Sequence, residues 1–269
     1  MLTWKRSLSP NCKSPTKSNS QSQSFFYEWS QTESNTAMGS VRELLIDFCS
    51  SVEPTSKMIA GVLEHGIENF LSKSNQLLAS KPTHNQSPAS LTKFNVITYL
   101  DKDWPNQLFD LDDEMPLVLW VNCDLIELLA LGSGIALTGP QQMSISDARI
   151  AGQLISASEN AVRPILTDGA RGTGELLIRL GITKNVKLAV VKPTGLQINS
   201  TRNLNLPDQV IQISEYAPTV IASKNRLVRR NRILAALSSL TIAISPRPYS
   251  GAASIWHWAD LLGRNRVSI

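Results

Sequence analysis

Four arginines, Arg226, Arg229, Arg230 and Arg232, stand at the head of the segment RLVRRNRILAALS (226–238), close behind Lys224, and the rest of that segment is apolar. The pattern is that of a helix with basic first turns and a core-forming remainder. A helix start leaves backbone N–H groups without intrahelical acceptors and carries the positive end of the dipole. Arginines placed there would make a site for an anion, phosphate above all. A solvated, charged helix start is the competing reading. Arg226, Arg229 and Arg230 lie at i, i+3 and i+4 and so share a helix face.

A second candidate is DGARGTG (168–174), which would cradle a phosphate or simply let the backbone turn tightly; Arg171 there either lines a groove or pairs with a carboxylate. Stacking of bases would need an exposed aromatic beside the groove, with Tyr216 or Tyr249 best placed. His65, His84 and His257 show no ligand spacing with Cys12, Cys49 and Cys123, so no metal site is expected. Asp110, Asp112, Asp113 and Glu114 read as a solvated loop, and Trp256 and Trp258 point to different sides of one helix.

The elements that must position these residues follow from periodicity. Apolar runs at 116–121, 134–137, 163–167, 186–191, 209–213 and 240–244 read as buried strands. Helical spacing predicts helices over 144–157, about 174–180, the arginine segment and 252–262. Alternation of this kind predicts an α/β fold, a parallel sheet with helices on both faces, in which ligands sit at the carboxyl ends of the strands. Loops 139–144, 168–174 and 245–251 should then gather on one rim. Upstream, residues 1–39 have the composition of a disordered tail, 40–75 read as a small helical region broken at Glu53-Pro54-Thr55, and 76–95 read as a polar linker. The main domain spans 96–269.

A net charge of +4 gives only weak overall attraction to polyanions, so local concentration of arginine has to carry any such binding. No run reaches the roughly 18–20 apolar residues of a membrane span, and three scattered cysteines fit a reducing cytoplasm.

LTGPQ (137–141), DGARGTG (168–174), TGLQ (194–197), SEYAP (214–218), RRNRILAALS (229–238) and SGAASIWHWADLLGR (250–264), in that order, resemble the DNA-processing protein A (DprA/Smf) family. The resemblance implies an extended Rossmann-like domain, preceded by a small helical region. It also implies binding of single-stranded DNA, protection of that DNA and its transfer to a RecA-type recombinase in natural transformation, without catalysis or a cofactor. Homodimerisation is left open. The residues implied in nucleic-acid binding are Gly139, Gln141, Gly169, Arg171, Gly172, Arg229, Arg230, Asn231, Arg232, Ser250 and Gly251, with Asn231 read as structural. The end at Val267-Ser268-Ile269 falls where the family's last core strand would run on, without the winged-helix domain of some members.

Departures from the family pattern are informative. Its turn arginine falls on Gln141 and its Ser/Thr on Pro140, its Ile-Asp pair on Thr173-Gly174, a later His on Ile178 and an acidic residue on Ser245. An amide replaces a charged fork at Gln141, which weakens one pocket wall unless another basic residue such as Lys192 or Arg202 compensates. Two rival functions remain: a nucleotide phosphoribohydrolase-like enzyme, to which Gly172-Thr173-Gly174-Glu175 bears a partial likeness, and an interaction module that has lost DNA binding.

Overall fold

A computed structural model of the protein describes residues 35–74, 94–159, 161–198 and 206–269. The chain divides into two units, Met1–Ser40 and Val41–Ile269. In the first, only helical residues 35–40 are described; the expected tail otherwise lies outside the described residues, as does nearly all of the 76–95 linker.

Helix α1 (Asn35–Ser51) is followed by α2 (Ser56–His65) and α3 (Ile67–Ser74). The break between α1 and α2 falls where Pro54 cannot continue a helix, and Thr55 caps α2 by accepting from the Met58 N–H at 3.4 Å. Gly66 at φ 75° separates α2 from α3, so the region after the Glu53-Pro54-Thr55 break holds two helices. Leu45, Phe48, Ile59, Val62 and Ile67 are buried.

The main domain carries an eight-stranded sheet in the order β1-β2-β6-β5-β4-β3-β7-β8. These strands are β1 (Asn95–Thr98), β2 (Val118–Val121), β3 (Ile135–Thr138), β4 (Ile165–Thr167), β5 (Leu188–Val191), β6 (Ile211–Ser214), β7 (Leu240–Ala243) and β8 (Asn265–Ser268). From β6 to β8 every pairing is parallel. β2 instead runs antiparallel to both β1 and β6. All four β2 residues are buried, so its VLWV run looks like a parallel core strand, and composition carries no trace of its direction.

Helices α5 (Ile145–Ala157) and α6 (Thr173–Thr183) pack together on one face of the sheet. Alternation along the strands supplies their apolar floor: Leu137, Ile165, Leu188 and Val190 join Ala151, Ile155, Leu177 and Ile178 in one core. Helices α7 (Lys224–Ala236) and α8 (Gly251–Leu261) pack against each other and the sheet. The short α4 (Leu125–Ala130) precedes β3. The acidic run Asp110 to Glu114, expected as a solvated loop, ends a 3₁₀ helix (Asn106–Glu114) with Leu108 and Leu111 buried. Two of its four acids are ion-pair partners, Asp110 with Arg264 at 2.5 Å and Glu114 with Arg232 at 3.7 Å, while Asp112 and Asp113 are exposed.

α7 is held by its arginines. Arg232, 1% exposed, grips Glu215 with a two-pronged pair of 2.7 and 2.6 Å and donates to the Glu114 and Arg229 carbonyls. Burial alone would push the Glu215 carboxyl up, but the guanidinium of Arg232, and then that of Arg229, hold it below its ordinary value. Arg226 and Arg229 pair with Glu53, ahead of α2, at 2.9 and 3.8 Å. Lys192, at the end of β5, is buried with neutral acceptors only: the carbonyls of Leu196 (3.3 Å) and Ile198 (2.8 Å) and the Gln212 amide oxygen (3.3 Å). Burial pushes its ammonium from 10.5 down to about 8.

Removing Arg232 strands a buried carboxylate, so Arg232→Ala should cost about 3–5 kcal/mol in urea unfolding, whereas Glu175→Ala, on a half-buried site with no ion pair among the described residues, should change far less. For Lys192 the folded value lies below the unfolded one, so between pH 8 and 10.5 the unfolded chain holds a proton that the folded chain has released. Stability of the wild type should therefore rise with pH across that window relative to Lys192→Met, by about 1 kcal/mol, as read from urea midpoints at pH 8 and 9.5.

Candidate nucleic-acid interface

The parallel strand order reverses at β3: the chain goes from β3 to β4 on one side and returns to β7 on the other. Loops leaving β3 and β7 therefore diverge, and a crevice opens between them. A pocket of about 340 Å³ occupies this point. Its walls are Gly139 to Gln142 after β3, Asp168 and Ala170 after β4, and Arg247, Tyr249 and the first residues of α8 after β7. The three loops expected on one rim thus do meet.

Contact between the turns explains the glycines. Thr173, at the start of α6, donates its hydroxyl (2.9 Å) and its N–H (3.2 Å) to the Pro140 carbonyl, drawing the β3 and β4 turns together. A Cβ at Gly139 would lie 2.6 Å from the Thr173 hydroxyl oxygen, and one at Gly172 would lie 2.2 Å from the Gln141 carbonyl oxygen. Gly172 also sits at φ 84° and Gly169 at φ 60°. At Gly174, where the family pattern has its acid, a Cβ would stand 2.7 Å from Asp168 Oδ1. Turn closure thus accounts for Gly169 and Gly172 as well as for the missing acid.

The arginines expected to hold phosphate face inward. Arg230, 3% exposed, pairs with Asp168 at 3.2 Å and donates to the carbonyls of Asp168 (2.5 Å) and Val191 (2.7 Å) and to Asn231 Oδ1 (2.8 Å). Arg232 is held by Glu215, and Arg229 lies between Glu53 and Glu215. Arg229, Arg230, Asn231 and Arg232 are absent from the pocket wall. The physical reason is the depth of α7: all residues from Arg230 to Ala236 are buried, so a charge there requires an internal partner. Asn231, expected to tie the helix start to an adjoining loop, is 2% exposed and accepts from Arg230 Nε. Lys192 is occupied by carbonyls and does not compensate for Gln141, while Arg202 lies outside the described residues. Tyr216 is 4% exposed beneath Arg226, whose guanidinium stands 5.4 Å from the ring centroid.

Gln141, Ser250 and Gly251 do line the pocket. The Ser250 hydroxyl caps α8 by accepting from Ala253 N–H at 3.1 Å, which leaves the N–H groups of Gly251 and Ala252, at the pocket wall, without a partner among the described residues. Two exposed cations accompany them. Arg247 lines the pocket and Arg171 follows its wall residue Ala170; neither forms an ion pair among the described residues. Arg247 was missed by sequence reasoning, although its loop was already placed on the rim. Ser245, at the position of the family's acid, donates to Asp147 at 2.7 Å. That bond first, then the Ser144 N–H and hydroxyl and the nearby charge of Arg247, keep the Asp147 carboxyl below its usual value, as a cap of α5. Among the described residues no group of His, Cys, Asp and Glu could hold a metal, and no helix is long and apolar enough to cross a membrane.

Comparisons with known proteins agree with this architecture. Among solved structures, DNA processing protein A from Streptococcus pneumoniae matches with a TM-score of 0.62 and 21% identity over 78% of this chain and 74% of that one. DNA processing protein A from Helicobacter pylori, solved for its single-stranded DNA binding mode, matches with a TM-score of 0.57 and 19% identity over 65% of this chain and 80% of that one. A search of curated proteins returns no match. The family model of DNA recombination-mediator protein A matches residues 95–268, from the first strand of the sheet to the last, and the chain belongs to that family.

Proposed function

We propose that the protein binds single-stranded DNA in the pocket between β3 and β7 and acts as a recombination mediator, protecting the strand and passing it to a RecA-type recombinase during DNA uptake. The observation that carries this reading is the meeting, at the switch point, of the free N–H donors of α8 with the unpaired guanidinium of Arg247. Together they offer an anion site on the rim where this fold class takes its ligands. Arg171 extends the positive surface along the β4 loop. Asp168, the acid in the wall, is already neutralised by Arg230 and does not oppose a phosphate.

The binding is without turnover and without a cofactor. Glu175, which a phosphoribohydrolase mechanism would need, lies on α6 outside the pocket wall. Asp147 is engaged as a helix cap by Ser144 and Ser245. Loss of the family's turn arginine at Gln141 is offset by Arg247, a cation supplied from the opposite loop.

Anisotropy of a fluorescent single-stranded oligonucleotide, titrated at several salt concentrations, tests this. The wild type should bind with a salt-dependent affinity. Arg247→Ala and Arg171→Ala should each weaken binding and lower the log–log salt slope by about 0.7, one phosphate contact on a single strand. Salt-independent or absent binding by the wild type would sink the proposal.

A further inference from the structure

Tyr249 is an anomaly in a well-packed fold. It lines the pocket, yet it is 100% exposed, and its backbone lies in the left-handed region at φ 60°. A tyrosine pays a steric cost in that region, and a ring left wholly in water recovers none of it through burial. Its loop is nonetheless tightly held. Ser245, also left-handed at φ 40°, is fixed by its hydroxyl on Asp147 at 2.7 Å and its N–H on the Ile269 carbonyl at 2.7 Å. At the other end the Ser250 N–H donates to the Arg247 carbonyl at 3.1 Å. Pro246 and Pro248 flank Arg247 and remove rotational freedom on both sides of it.

The outcome is a stiff loop that carries an aromatic ring and a guanidinium two residues apart on one pocket. We infer that this loop is a base-stacking arm: one unpaired nucleobase lies on the Tyr249 ring while Arg247 holds a neighbouring phosphate. The inference rests on the single-stranded DNA reading above and deepens it. A ring carried on a fixed backbone needs no loop ordering to stack, which favours affinity. A base within a duplex has both faces covered, so the arm discriminates against paired DNA. Gln141 and Gln142, exposed on the same pocket, present amides that both donate and accept, as the edge of a base requires.

The arm is tested with Tyr249→Phe, Tyr249→Ala and Tyr249→Gly on two probes, an ordinary single-stranded oligonucleotide and a fully abasic strand of equal length. Phe keeps the ring and should bind like the wild type. Ala and Gly should lose about 5- to 150-fold on the ordinary strand, with the salt slope unchanged because no phosphate contact is removed. On the abasic strand all four proteins should bind equally. The Gly variant, relieved of the left-handed strain, should melt no lower than the wild type, which separates lost stacking from lost folding. Ala binding the ordinary strand as well as the wild type, or Phe losing as much as Ala, would overturn the arm while leaving the pocket reading intact. A wild type with no salt-sensitive binding to either strand would overturn both.

Discussion

Neutralisation of the α7 arginines inside the protein is the constraint on which the rest of the structure depends. A guanidinium cannot be buried without a partner, because desolvation costs several kcal/mol and only a close, well-directed carboxylate offsets it. The arginines draw on acids from four parts of the chain: Asp168 after β4 for Arg230, Glu215 after β6 for Arg229 and Arg232, Glu114 in the 3₁₀ helix for Arg232, and Glu53 ahead of α2 for Arg226 and Arg229. α7 therefore acts as a hub. It fastens the helical region to the main domain and fixes the loops that follow β4 and β6.

That role leaves the pocket with a different chemistry from the one the arginine cluster suggests. Once Arg230 has taken Asp168, the wall carries no uncompensated acid from the β4 turn. The glycines at 139, 172 and 174 let these turns close, where side chains would collide with Thr173, with the Gln141 backbone and with Asp168, respectively. The cation and the aromatic ring on the pocket wall come instead from the loop after β7, as Arg247 and Tyr249. The pocket thus lies at the switch point, and of the residues the family pattern points to, Gly139, Gln141, Ser250 and Gly251 line it while the α7 arginines do not.

Much of this architecture was legible in the sequence. The parallel core, its helices and the meeting of three loops on one rim follow from local periodicity together with the connection rules of βαβ units. β1 and β8 are short and mostly exposed or mixed in burial, so they carry weak patterns, and they emerge only through pairing with their neighbours. The antiparallel direction of β2 is likewise set by pairing with β6.

The arginines mark the boundary most clearly. The sequence by itself determined that RLVRRNRILAALS forms a helix with basic first turns and continues into the core, because helical spacing and apolar content are local properties of the chain. Whether Arg230 and Arg232 turn outward to a phosphate or inward to a carbonyl depends on groups 62 and 118 residues away, and only the tertiary structure decided it. A basic helix start reads the same in either case, since its charge is encoded locally while the burial that demands a partner, and the partner itself, arise from packing.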